Sequence, residues 1–201
     1  MRVFDFDNTV YNGESAIDFF KYYFVHYPGK VIRYVPAFSK GVIRYKLGKL
    51  SIDEVFEQYS AIFKECCKTF DNIPEEIERF WDRHEKNVKP YFRDLLRPDD
   101  VILSASPEVV LRVICNRMGV KNVIGSDLDI ESGEVRSVCF RDNKIKCFKA
   151  VYPDTVIDEF YTDSMVDRPF MEISDRVFFV KGDKITKIKE NGSWLDSAEE
   201  I

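Results

Sequence analysis

The sequence predicts an α/β fold, a doubly wound and mostly parallel sheet carrying an inserted helical segment, on three observations. Short apolar, partly β-branched runs recur at residues 2–6, 101–105, 123–125, 156–161 and 177–180. Stretches with helical apolar spacing lie between them, and such an alternation makes a parallel sheet covered on both faces. The alternation breaks from Glu14 to about Arg93, where helical spacing appears at Ile52, Val55, Phe56 and Tyr59 and again at Ile73, Ile77 and Phe80.

The first strand runs into Asp5-Phe6-Asp7-Asn8-Thr9. Carboxylates at i and i+2 share a face of a strand, and a turn at the strand end can bring both to one small volume. Packed together without a cation, one of them takes up a proton; oxygen-only ligands suit a hard divalent ion such as Mg²⁺. An ordinary Asp-Asn turn is the competing reading. The second strand leads into Ser104-Ala105-Ser106-Pro107-Glu108. That segment predicts a helix start, with the Ser106 hydroxyl at the N-cap and Pro107 at the first helical position, running through Val109, Val110, Val113 and Ile114 toward Gly119.

Two hairpins are predicted, Asp127 to Phe140 turning at Ser132-Gly133 and Val177 to Ile188 turning at Gly182-Asp183. Asp127 and Asp129 read as the solvent face of the first. Three lysines, Lys144, Lys146 and Lys149, lie between the hairpins. The strand at 156–161 leads into Thr162-Asp163-Ser164-Met165-Val166-Asp167. Because ligands of open parallel sheets bind beyond the carboxyl ends of the strands, the acids of the first and fourth segments and Ser104 can meet in space.

The ordered series DFDNT, SAS, Lys and DSxxD resembles the haloacid dehalogenase superfamily of aspartate-nucleophile phosphatases. The SASPE and TDSMVD wording is most similar to its phosphoserine-phosphatase-like branch. The resemblance runs from Asp5 to Pro169, with a weakly matching stretch near residues 20–90. It implies a Rossmann-like core at 1–13 and 93–201 and a helical cap at 14–92. By the same resemblance Asp5 is the nucleophile that forms an aspartyl-phosphate, and Asp7 is the general acid and then base. Ser104 and Ala105, with amides near Ser106, hold the phosphate, and Lys144 or Lys146 balances charge. Aligning Arg141-Asp142-Asn143 with the family's Gly-Glu-Glu-like triplet selects Lys144. Asp5, Asp7, Asp163 and Asp167 are the implied Mg²⁺ set. Glu14 matches the residue that contacts the substrate amine in phosphoserine phosphatases. Tyr59 stands where they carry a carboxylate-binding arginine, and Val166 replaces an asparagine. The implied activity is Mg²⁺-dependent hydrolysis of a small, soluble phosphate ester, with L-phosphoserine disfavoured.

Composition narrows the alternatives. The 201 residues are 45% hydrophobic and 32% charged, enough for one core and a subdomain. No run of apolar residues is long enough to span a membrane. The first strand lies close to Met1, which predicts no signal peptide and a cytoplasmic location. Five cysteines without CxxC spacing, with only His26 and His84 to assist, read as reduced thiols rather than zinc ligands. A net charge of −5 argues against general nucleic-acid binding. The rival readings are a phosphoacceptor signalling domain and a non-catalytic phospholigand-binding module. Signalling domains lack a long insert after the first acids, and intact acids throughout oppose loss of catalysis.

One segment admits two readings. From Phe19 to Ile52 there are seven Lys and Arg and no acid, among many aromatics. Either this is a basic face for an anionic substrate or phospholipid headgroups, or a helical hairpin with packed aromatics and solvated lysines.

Overall fold

The computed structural model describes residues 1–50 and 52–200. Eight strands form one sheet in the order β4-β3-β2-β1-β5-β6-β7-β8. Here β1 is Arg2–Phe4, β2 Val101–Pro107, β3 Asn122–Asp129, β4 Glu134–Ser137, β5 Ile157–Thr162, β6 Ser174–Lys181, β7 Lys184–Glu190 and β8 Ser193–Glu200. The strands β3, β2, β1, β5 and β6 run parallel, and antiparallel hairpins finish both edges.

The central strand β1 pairs Val3 with Val101 and Phe160, and Phe4 with Ile102 and Tyr161. Alternation sends these rows to opposite faces. Phe4, Ile102, Tyr161 and Phe178 join a cluster with α1 (Ser15–His26), α5 (Ile73–His84) and α7 (Glu108–Arg117). Val3, Val101, Phe160 and Val177 join another with α8 (Asn143–Val151) and α9 (Arg168–Glu172). The five strands predicted from apolar runs are all present. The eighth, β8, was not predicted, although Asn191 and Gly192, both with left-handed φ (48° and 75°), are a primed-turn pair before it.

The remaining helices are α2 (Pro28–Val31), continued by a 3₁₀ turn at Ile32–Tyr34, then α3 (Val35–Lys46), α4 (Ile52–Cys67) and α6 (Pro90–Leu95). The first cluster does not respect a division at residues 14 and 92. Phe19 and Tyr23 of α1, with Ile77, Phe80 and Trp81 of α5, are buried together with Phe4 and Phe6. Trp81 Nε1 donates to the Val110 carbonyl of α7 at 2.7 Å, so α5 is fastened to a core helix.

The helix start at Ser106 differs from expectation. β2 continues through Pro107, α7 begins at Glu108, and no side chain caps it. The Ser106 hydroxyl is used elsewhere, as the next section describes.

Gly125 on β3 sits directly behind this turn. A Cβ there would lie 2.7 Å from the Ser106 carbonyl oxygen and 2.8 Å from the Glu108 nitrogen. Backbone cannot swing aside as a flexible side chain does. Gly125→Ala is therefore expected to destabilise by about 1–3 kcal/mol, read as a fall in Tm, because the turn carrying Ser106 must be pushed off β3.

Candidate active site

The carboxyl ends of β1, β2 and β5 and the N-terminal turn of α8 surround a cavity of about 180 Å³. Asp5, Asp7, Glu14, Ser104, Ala105, Lys144, Asp163 and Asp167 all line it. Tyr59 does not. It lies on α4, where its ring meets the space over Gly41 of α3.

The Asp5 amide donates to the Tyr161 carbonyl at 2.8 Å, which carries sheet pairing one residue past β1. The chain then turns through Asn8 in left-handed conformation (φ 57°), which Asn tolerates well. Lys89 Nζ donates to the Asn8 carbonyl at 2.6 Å and to the Gly182 carbonyl at 2.7 Å, tying the turn to the β6–β7 hairpin.

The two acids of the turn meet different partners. Lys144 Nζ donates to Asp5 Oδ1 at 2.8 Å and to Asp167 Oδ2 at 2.7 Å. Thr9 Oγ1 donates toward Asp5 Oδ2 at 3.1 Å and lies 3.4 Å from Asp163 Oδ1. Thr162 Oγ1 donates to Asp167 Oδ2 at 2.9 Å. Asp7, by contrast, accepts the Ser15 amide on Oδ1 at 2.7 Å and the Ser106 hydroxyl on Oδ2 at 2.5 Å. Ser106 accepts in turn from Ser15 Oγ at 2.9 Å. Lys146 and Lys149 are exposed, so of the three lysines only Lys144 faces the acids.

Charge accounts for the titration behaviour. Burial pushes the Asp5 carboxyl up, against the pull of Lys144. Burial also raises Asp7, opposed by its hydrogen bonds from Ser106 and Ser15. Asp163 and Glu14 are likewise raised mainly by burial. Burial would pull the Lys144 ammonium down, yet Asp5 and Asp167 together outweigh it and hold it above the usual lysine range.

Five carboxylates thus share the cavity wall with one ammonium. Such an excess of negative charge on one cavity wall, on oxygen donors alone, fits a hard divalent cation. Asp5 and Asp163 each turn an oxygen toward the Thr9 hydroxyl and form the natural pair of ligands. Among the described residues no three acids close on one point. The carboxylate of Asp7, expected in the ligand set, has both oxygens engaged by Ser15 and Ser106. Asp167 is committed to Lys144 and Thr162, so it meets the cation site through the lysine.

The phosphate-binding expectation changes in detail as well. The Ser106 amide donates to Ser104 Oγ at 3.1 Å and Pro107 has no amide, so neither is a free donor. The Ser104 hydroxyl proton remains available on the cavity wall. Ser15, Lys89 and Thr162 were not foreseen as parts of this site.

The sequence pattern of the haloacid dehalogenase-like hydrolase family matches residues 3–172. The chain belongs to that family. No curated protein matches it. Among solved structures, a protein of unknown function from Bordetella pertussis Tohama I is similar with a TM-score of 0.70 at 18% identity, over 88% of this chain and 87% of that one. A phosphoserine phosphohydrolase-like protein from Francisella tularensis is similar with a TM-score of 0.57 at 15% identity, over 88% and 86%. A family hydrolase from Salmonella enterica serovar Typhi also scores 0.57, at 13% identity, over 86% of this chain and 58% of that one. These likenesses establish the α/β fold of this hydrolase.

Removing the ammonium isolates the buried acids. Lys144→Met is expected to cost about 3–5 kcal/mol of stability in chelator-containing buffer. The cost depends on pH in a defined direction. A carboxyl whose folded pKa is raised loses stability while ionised, and without Lys144 the Asp5 carboxyl rises further. The Tm deficit of the variant should be largest above neutral pH and should shrink as the pH falls; a deficit that grows on acidification would contradict the pairing.

Proposed function

We propose that this hydrolase is a Mg²⁺-dependent phosphomonoesterase that works through an aspartyl-phosphate on Asp5 and acts on a small phosphorylated metabolite. The observation that carries the reading is the division of labour between two acids two residues apart. Asp5 is bonded to a buried ammonium, and Asp7 to hydroxyls and an amide.

An Asp5 oxygen attacks phosphorus, forming a P–O bond to the carboxylate as the bond to the leaving alcohol breaks. The alcohol departs with a proton from Asp7, whose carboxyl burial favours in the protonated form. Asp7, now ionised, takes a proton from the water that attacks the aspartyl-phosphate, releasing inorganic phosphate and restoring Asp5. Ser15 and Ser106 hold the Asp7 carboxyl in place. Lys144 keeps Asp5 oriented and offsets the charge that phosphate brings; Ser104 offers a hydroxyl donor from the cavity wall. A Mg²⁺ held by Asp5 and Asp163 supplies electrostatic stabilisation of the phosphoryl oxygens when bound. Residues 14–92, or the part of them distal to α1 and α5, serve as the cap, and five free thiols suit a cytoplasmic setting.

The nucleophile is tested with p-nitrophenyl phosphate. Asp5→Asn is expected to keep its Tm within a few degrees and to lose turnover by several orders of magnitude. Wild-type activity is expected to vanish with excess chelator and return with Mg²⁺. Near wild-type turnover by the variant would remove Asp5 from its role.

Substrate choice follows from the lining. Among the described residues around the cavity the one cation is Lys144, already shared by two carboxylates, and no arginine is present. A substrate carboxylate would enter without a partner. Glu14 lines the cavity yet is solvent-exposed, is held by Asn8 Nδ2 at 2.8 Å, and suits an amine. L-phosphoserine is therefore expected to have kcat/KM roughly ten- to hundredfold below an amine-bearing or neutral ester, since an unpaired polar group costs about 1–3 kcal/mol. A panel in which phosphoserine exceeds every other ester would refute this.

A further inference from the structure

The segment Phe19–Ile52 sets seven cations against no acid, in a chain whose net charge is −5, so all other residues together sum to −12. The structure shows where its aromatics go. Tyr34 and Phe38 turn inward, the two rings 6.4 Å apart, with Phe38 edge-on to Phe20 at 5.5 Å and facing Phe63 of α4 at 6.4 Å. Gly41 on that same inner side faces Tyr59.

The outer side is not simply polar. Ile32, Pro36, Lys40, Ile43 and Leu47 recur every three or four residues along the 3₁₀ turn, α3 and the residue that follows it, and all are exposed. Ile32 is 59%, Ile43 56% and Leu47 63% exposed, so three large aliphatic side chains stand in water, one on the 3₁₀ turn, one on α3 and one just past its last residue. Lys40 sits within the stripe, and Arg33 and Lys49 flank its ends, also exposed. None of these residues lines the catalytic cavity.

We propose that this face of α3 is a docking surface for an anionic phospholipid bilayer. An apolar stripe edged by Lys and Arg, on a segment that itself carries no acid, suits the plane of a membrane interface, with aliphatics among acyl chains and cations at headgroup phosphates. Charge decides against other occupants. A second copy of this chain meeting the same face would oppose cations to cations. Phosphates of a nucleic acid would satisfy the cations but leave Ile32, Ile43 and Leu47 without an apolar partner. The surface lies on the helix, and no helix among the described residues is long and apolar enough to cross a membrane, so contact is peripheral.

The test is cosedimentation with vesicles of phosphatidylcholine containing about one third phosphatidylglycerol, beside vesicles of phosphatidylcholine alone. The wild-type protein should pellet with the anionic vesicles at low salt and be released as salt shortens the screening length. Two double variants divide the contributions, Lys40→Glu with Lys49→Glu, and Ile43→Ser with Leu47→Ser. Each should weaken binding at least roughly tenfold, with circular dichroism and Tm like the wild type because all four side chains are exposed. Absence of binding to anionic vesicles, equal binding to neutral ones, or variants that bind like the wild type would overturn the proposal. So would an oligomer, detected by light scattering, that the Ile43→Ser, Leu47→Ser variant dissociates without any change in vesicle binding.

Discussion

The site is organised around a fully buried ammonium. Lys144 lies between Asp5 and Asp167, with both carboxylates also buried. Bringing such groups out of water costs several kcal/mol per ion, and attraction repays it only with good geometry and further hydrogen bonds. Here the contacts are 2.8 and 2.7 Å, and Thr9 and Thr162 each supply one of those further bonds. The partners come from the end of β1, the start of α8 and the turn after β5. Only a sheet in which β5 lies directly beside β1 can bring them together, so strand order and ion cluster depend on each other.

The same arrangement separates two acids that sequence alone makes look alike. Asp5 faces the lysine, whereas two residues on, past a turn closed by left-handed Asn8, Asp7 faces Ser15 and Ser106. Burial raises both carboxyls, but what opposes it differs: at Asp5 it is the Lys144 ammonium. At Asp7 it is chiefly hydrogen bonds from Ser106 and Ser15, whose hydroxyls can exchange protons. Pairs of titratable groups pushed into different environments mark acid and nucleophile roles. Lys89 supports this without touching either acid, since its bonds to Asn8 and Gly182 fix the turn that divides them.

What the sequence made legible was local and ordered. Acids at the ends of apolar runs, in a fixed order, located the cavity, because the ends of parallel strands converge by topology. The residues before Lys144 favoured it while leaving Lys146 open; in the structure Lys144 is buried, whereas Lys146 and Lys149 are exposed. Contacts across long separations left no trace. Ser15 to Ser106 spans 91 positions and Lys89 to Gly182 spans 93. A lone serine or lysine carries no signature of such a partner. The Ser106 N-cap was read from a local pattern that a tertiary bond to Asp7 overrode. Tyr59 was placed by counting from a glycine, which assumes a helical hairpin of fixed length and pitch, and its ring instead fills space over Gly41. β8 could have been found from Asn191-Gly192.

Charge is segregated along this chain in a way that bears on how an anion reaches an acidic cavity. Around the catalytic pocket acids outnumber cations five to one, so on its own the pocket repels a phosphate ester. In the proposed mechanism a divalent ion beside Asp5 and Asp163 would reverse the local sign and turn repulsion into binding. The segment Phe19–Ile52 holds the opposite charge, seven cations without an acid. Over more than a screening length of about 10 Å its field fades, so it cannot replace that ion at phosphorus. The two features therefore act at different ranges. In the proposed scheme the ion would govern whether phosphate is held near Asp5, and the basic helical face which anionic surface the protein approaches.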